Sequence, residues 1–408
     1  VRLLIIKLRE RAEIMAKELK VLIDVLEEVA GATKKPVSLH EPEFGGNDWN
    51  YVKNCIDTGW VSSVGSYVDR FERELAELFQ VKRAVAVANG TAALHVSLLL
   101  AGVRRDEEVL VPALSFIATA NAVVHAGAVP HFVDSEAVSL GVDAKKLHDY
   151  FYSIAVREGA RWRNKYTGRR IAALVVMHCF GHPADLDALV AFSTDTGLPL
   201  IEDAAESIGS LYKGRPTATK GLISCVSFNG NKIVTTGGGG AVLTNDEELG
   251  RRAKHLTTTA KRPHRWEFFH DETGFNYRLP NLNAALGCSQ LEKLPDFLAR
   301  KRKLSSRYRE AFAENSFFHF LDQPAYAESN FWLNTVVLKR RDRVLRDTLL
   351  DGTNAAGFST RPLWCLMHRL PMYANCPRSD LSVAEDLEDR VINLPSSPIL
   401  VDSGRMSG

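Results

Sequence analysis

The chain has 408 residues, and its 51 Lys+Arg against 49 Asp+Glu leave a formal charge of only +2. With 45% hydrophobic and 25% charged residues it has the make-up of an ordinary globular protein of two to three domains. A disordered chain and a nucleic-acid binder relying on bulk charge are excluded, and no stretch approaches the ~18 uninterrupted apolar residues of a membrane helix.

In chain order, the opening residues VRLLIIKL have only four consecutive apolar positions, too few for a signal-peptide core. Residues 8–30 carry Ile14, Met15, Leu19, Leu22, Leu26 and Val29 at helical spacing with mixed charges between, which predicts a packing helix ending at Gly31. From residue 81 short β-rich runs alternate with helical stretches: 83–88, 108–112, 129–134, 171–178, 199–203, 223–228 and 240–244. Several are continuously apolar, as expected of strands buried on both faces of a mostly parallel sheet. The alternation predicts an α/β layered domain, whose ligands bind beyond the carboxyl ends of the strands. The basic segment 161–170 (RWRNKYTGRR) has no apolar period and reads as a solvated loop, with a nucleotide-phosphate contact as the lesser alternative; 300–309 (RKRKLSSRYR) reads as an exposed helical face. A β-rich run at 330–338 and a helix at 344–357 predict a smaller C-terminal domain. The six cysteines are scattered, with no CxxC and no clustered His for a zinc site. This usage fits a reducing compartment, and the expected location is cytoplasmic.

Four strand ends carry candidate chemistry. After the first strand, Asn89-Gly90-Thr91 opens a helix, and free N–H groups with a Thr hydroxyl make a phosphate seat or simply a common cap. No GxGxxG follows that strand, which counts against a dinucleotide-binding fold. After the second, Phe116 is a core aromatic if it stands alone. After the fifth, Glu202 and Asp203 are adjacent carboxylates, costly to bury unless paired with a cation such as a protonated ring nitrogen. After the sixth, Lys232 sits in a small-residue loop and reads either as a surface group or as a Schiff-base lysine. The glycine run 237–240 allows close backbone approach or forms a tight interface loop. Together the phosphate seat, stacking aromatic, carboxylate and lysine are the parts that pyridoxal phosphate needs.

Six segments, three of them holding residues already named, carry this pattern: GWVSSVGSYVDRFE (59–72), NGTAALH (89–95), IEDAAESIGS (201–210), SFNGNKIVTTGGGG (227–240), GFNYRLPNLNAALG (274–287) and INLPSSP (392–398). Over residues 40–398 the chain resembles the DegT/DnrJ/EryC1/StrS-type sugar-nucleotide aminotransferases. Its SFNGNK form, with HRWEFFHDETGFNYRLPNLNAA and RPLWCLMHRLPMY, is most similar to the branch that aminates 4-keto sugars for bacillosamine and legionaminic acid. The resemblance implies a fold-type I pyridoxal-phosphate transferase, α/β in class. Its large domain (40–290) would hold a mostly parallel seven-stranded sheet, with a helical extension before it (1–39) and a small α/β domain after it (291–408).

The resemblance also implies residue roles. Lys232 is the Schiff-base lysine and acid/base, Asp203 binds the pyridine nitrogen, and Phe116 stacks on the ring. Thr91, Ala92 and Ser227 hold the cofactor phosphate, Asn276 completes that site from a neighbouring subunit, and Glu206 lies close to the cofactor. Trp60, Ser62, Arg278 and His368 are candidates for shaping the sugar site, with structural packing as the alternative for each. The expected reaction moves an amino group from L-glutamate to C4 of a nucleotide-linked 4-keto-6-deoxyhexose, 2-acetamido and UDP-linked, for bacterial surface glycans such as lipopolysaccharide. The expected assembly is a homodimer with shared sites, binding neither nucleic acid nor membrane. Some relatives replace the lysine with His and become dehydratases; Lys232 favours transamination. The alternatives are a GDP-perosamine-type synthase, a 3-keto sugar aminotransferase, a dehydratase, or a catalytically silent cofactor-binding protein.

Overall fold

A computed structural model describes residues 2–31 and 35–401, with the backbone alone for residues 2–10. Its central strands are β1 (Arg83–Val87), β2 (Glu108–Pro112), β3 (Val129–Val133), β4 (Arg170–Met177), β5 (Leu200–Asp203), β6 (Ile223–Ser227) and β7 (Gly240–Thr244). Their spatial order is β1-β7-β6-β5-β4-β2-β3. Neighbours from β6 across to β3 pair parallel, and β7 runs antiparallel between β1 and β6. The mostly parallel seven-stranded core expected from the sequence is therefore present, with two more strands added at one side.

Why the runs are continuously apolar is visible in the packing. Val85, Val87, Val109, Val111 and Val175 face one apolar cluster with Leu94, Leu98 and Val123 of the crossover helices. The alternate residues Ala84, Ala86 and Leu243 face a second cluster with Phe71, Leu75 and Phe297. Leu110, Leu174 and Val176 face a third with Leu147, Phe151 and Leu189. Successive side chains leave a strand on opposite faces, and here both faces are covered.

The basic segment is not the solvated loop expected for 161–170. Residues Arg161–Asn164 form a strand, paired antiparallel with Ala155–Glu158 and with the start of β4. Trp162 packs against Phe151 at 5.2 Å and its Nε1 donates to the Thr196 carbonyl at 2.7 Å. Asn164 donates to the buried Glu108 carboxylate at 2.9 Å. Two inward-facing residues outweigh the neighbouring arginines, and Arg163 answers its charge with Glu158 at 2.6 Å.

A second sheet, in the order Phe318–Phe320, Asn334–Leu338, Val391–Leu394, Arg361–Pro362, forms the small C-terminal unit. The N-terminal helix Arg2–Ala30 is part of that unit's core: Leu22 and Leu26 are fully buried among Leu304, Tyr308, Leu345, Leu349 and Phe358. The helix Asn281–Phe312 runs without a break through residue 290, joining the large sheet's second cluster to this core. No helix among the described residues is long and apolar enough to cross a membrane.

Candidate active site

Because β1, β2, β5 and β6 point the same way, their carboxyl ends share one sheet edge, and a cavity of about 310 Å³ opens there. The helix Gly90–Leu100 begins at its rim. Asn89 caps it by accepting from the Ala92 N–H at 2.8 Å, and Gly90 and Thr91 of the first turn line the cavity. The backbone is tight at this point. A Cβ on Gly240 would fall 2.6 Å from the Asn89 carbonyl carbon, and one on Gly90 would fall 3.0 Å from Ser227 Cβ. Close backbone approach is thus the physical reason for glycine at the end of the 237–240 run. A helix N-terminus beside the Ser227 and Thr91 hydroxyls is a fitting seat for a phosphate.

Strand alternation separates the two adjacent carboxylates of β5. Glu202 turns away from the cavity, accepting from the Ala218, Lys220 and Gly221 N–H groups at 2.9, 2.7 and 2.6 Å. Its other partner is His178 Nε2 at 3.0 Å. The His178 Nδ1 accepts from the Ala184 N–H at 3.1 Å, so the ring proton sits on Nε2 and donates to Glu202. Burial alone would raise the Glu202 carboxyl, yet His178 and the backbone N–H groups hold it below its usual range.

Asp203 turns into the cavity. It is buried, accepts from Thr119 Oγ1 at 2.7 Å and from the Ala205 N–H at 3.2 Å, and Ser115 lies 2.7 Å behind Thr119. Burial raises its pKa, with the Thr119 bond opposing. A buried carboxylate in this state is suited to a cationic ring N–H partner.

The loop after β6 delivers Lys232, whose side chain is 12% exposed. Its Nζ lies 3.2 Å from Glu206 Oε1 and 3.7 Å from the centroid of the Trp332 ring. Glu206 is pinned by the Phe180 N–H at 2.9 Å, and burial pushes its carboxyl up to about 7 despite the lysine beside it. Phe116, at the start of the helix Ile117–His125, is 48% exposed on the cavity wall and meets Trp364 edge-on at 6.3 Å.

Thr91, Phe116, Asp203, Glu206, Ser227 and Lys232 thus line one cavity. Ala92 sits just behind it, with its N–H given to the Asn89 cap. Asn276 lies elsewhere on the chain, accepting from Arg278 Nε at 3.0 Å. Arg278 lines a second cavity of about 420 Å³ together with Lys254, Lys261 and Arg262. Trp60 and Ser62 present their carbonyls to Asn281 at 2.7 and 2.6 Å, and the Trp60 side chain is 58% exposed. His368 is bonded to Glu385 at 3.1 Å, away from the cofactor-sized cavity.

Sequence reasoning missed Trp332 and Trp364, which close the cavity from the C-terminal unit. Trp332 fell inside a run read as strand from residue 330, whereas the strand begins at Asn334. The signal available for the later strand start was Asn334, a polar residue standing between Phe331–Leu333 and the apolar run that ends at Leu338.

The residues fit pyridoxal phosphate: an amine, a buried carboxylate, hydroxyls at a helix N-terminus and a wall aromatic surround one space of suitable size. The DegT/DnrJ/EryC1/StrS aminotransferase family model matches residues 42–404. The chain is 36% identical over 368 residues to the GDP-perosamine synthase of Escherichia coli O157:H7, covering 90% of this chain and 94% of that protein. Against the GDP-perosamine synthase of Vibrio cholerae it is 35% identical, with 90% and 95% covered. Among solved structures it is similar to the aminotransferase TlmJ of Streptoalloteichus hindustanus, with a TM-score of 0.80 and 28% identity over 90% and 95% of the two chains. The chain belongs to the DegT/DnrJ/EryC1/StrS aminotransferase family, and it is a pyridoxal-phosphate-dependent sugar aminotransferase.

Proposed function

We propose that the enzyme transfers the amino group of L-glutamate to the C4 ketone of a nucleoside-diphosphate-linked 4-keto-6-deoxyhexose. The observation that carries the chemistry is Lys232, an amine enclosed between Glu206 and Trp332 in the cavity that Asp203 also faces. The identity of 36% over 90% of the chain supports the 4-amino sugar as product class and moves GDP ahead of UDP as the nucleotide. A UDP-linked 2-acetamido sugar is the second reading, favoured by the quoted sequence segments.

When bound, pyridoxal phosphate supplies an electron sink for the carbon that gains or loses the proton. Asp203 would keep a proton at the ring nitrogen, Thr91 and Ser227 would hold the phosphate, and Phe116 would cover one ring face. Lys232 Nζ takes the proton from the donor's amine-bearing carbon and later delivers one to sugar C4. Glu206, 3.2 Å away, holds that amine in place between the two transfers. Asn276 and Arg278 belong to no wall of this cavity in the same chain, which supports their reaching the site of a second copy in a homodimer.

Incubation with glutamate and either GDP- or UDP-linked 4-keto-6-deoxy sugars, read by mass spectrometry, tests the reading. A product that has gained an amino group at C4 is expected, and its loss in Lys232→Ala by at least ~10²-fold. A product without nitrogen would refute it.

A further inference from the structure

The two groups that touch Lys232 come from different parts of the chain. Glu206 belongs to the turn after β5, and Trp332 to the segment entering the strand Asn334–Leu338 of the C-terminal unit. One side chain ties them together. Asn330, fully buried, donates through Nδ2 to the carbonyls of Glu206 and Ile208, both at 2.9 Å, and accepts from the Trp332 N–H through Oδ1 at 2.8 Å. Its own N–H donates to Ser210 Oγ at 3.0 Å. Both amide hydrogens and the amide oxygen are therefore engaged. The slot is fitted to the amide: a Cβ on Gly181 would lie 1.8 Å from Asn330 Oδ1.

We propose that Asn330 is a positioning residue, whose amide keeps Glu206 and Trp332 together at the Lys232 amine. The inference rests on the reading of Lys232 as the group that carries the cofactor. Only a carboxamide supplies both roles. An aspartate would keep the acceptor for Trp332 but turn an anion toward two carbonyl oxygens, and an alanine would abandon all three bonds. Either change loosens the charge-assisted contact and the cation–π contact at once.

The test uses the full-length, cofactor-free protein. Lys232 is acylated at one alkaline pH, and its rate is read by peptide mass spectrometry against the exposed Lys53 and Lys213. Wild-type Lys232 is expected to react slowest of the three. Asn330→Asp and Asn330→Ala should each speed it roughly three- to ten-fold. If Asn330 acts through its two partners, adding Asn330→Asp to a Glu206→Gln/Trp332→Leu variant should add little. The proposal is overturned by an unchanged rate in the Asn330 variants, or by an undiminished increment in the combined variant. Should the Asn330 variants not fold, two measurements remain decisive. Wild-type Lys232 reacting as fast as Lys53 overturns the proposal, as does Trp332→Leu matching a Trp332→Phe variant that keeps the ring.

Borohydride fixation of pyridoxal phosphate on wild-type Lys232 separates the two claims. Protection without fixation would sink the cofactor reading alone; fixation without protection would sink the positioning role alone.

Discussion

The Thr119 hydroxyl donates to Asp203 at 2.7 Å and is itself backed by Ser115, so the carboxylate facing the cavity is oriented by a short hydroxyl relay. A bond to a charged acceptor contributes about 1.5–3 kcal/mol. Thr119→Val should therefore weaken pyridoxal phosphate binding by roughly ten- to a hundred-fold, measured by absorbance titration of the cofactor-free protein. Unchanged affinity would show that Asp203 needs no such support.

The adjacent carboxylates should fail in different ways. Glu202→Ala leaves His178 and three backbone N–H groups without their buried acceptor. A loss of about 3–5 kcal/mol in urea unfolding is expected. Asp203→Asn should leave stability close to wild type while lowering turnover on the order of 10²-fold or more. Equal stability losses in the two variants would contradict the division of labour described for β5.

Glu206 gives a pH signature in the cofactor-free protein. Its carboxyl titrates near 7 in the fold against a usual 4.5, because burial disfavours the charge. The folded state thus holds the proton more tightly than the unfolded chain. The stability this contributes is full below pH ~4.5 and is lost as pH rises to about 7. Relative to Glu206→Gln, wild type should lose on the order of 3 kcal/mol across that window, seen by denaturant unfolding at stepped pH. A difference that stays flat with pH would exclude the buried, proton-holding carboxyl.

Gly240→Ala tests the crowded corner of the phosphate seat. The new methyl would meet backbone atoms of Asn89 and Gly90 at 2.6–2.7 Å, and backbone cannot swing aside as a side chain can. Destabilisation of about 1–3 kcal/mol is expected, together with weaker cofactor binding because the displaced segment carries Thr91. Thermal melts with and without pyridoxal phosphate measure both, and a variant as stable as wild type would show that the corner can relax.

How much of this was legible in the sequence varied with the range of the interactions. The continuous apolar runs gave away β1 to β7, since burial on both faces leaves its mark residue by residue. The strand ends then placed Thr91, Phe116, Asp203, Ser227 and Lys232 on one edge. The resemblance singled out Asp203 of the adjacent carboxylates, whereas the separate place of Glu202, bonded to His178 and three backbone N–H groups, was seen only in the fold. Trp332, Trp364 and Asn330 were hidden because they come from the other end of the chain. No local pattern announces that a residue will meet a lysine some hundred positions earlier. The strand at Arg161–Asn164 was hidden differently: its arginines masked the two inward residues, Trp162 and Asn164, that decide its place.

The unbroken helix Asn281–Phe312 gives the molecule a lever. At its near end Asn281 is bonded to the Trp60 carbonyl and accepts from the N–H groups of Tyr67 and Val68. At its far end Leu304, Tyr308 and Phe312 share a core with the N-terminal helix. Its 32 residues span about 48 Å at ~1.5 Å per residue, so a swing of about 5° at one end displaces the other by about 4 Å. Pro295 removes one backbone bond within the helix, yet the helix continues past it to Phe312. One helix therefore carries both the Trp60 loop and the core of the C-terminal unit that supplies Trp332 and Trp364, so the indole loop and the cavity wall share a single shaft.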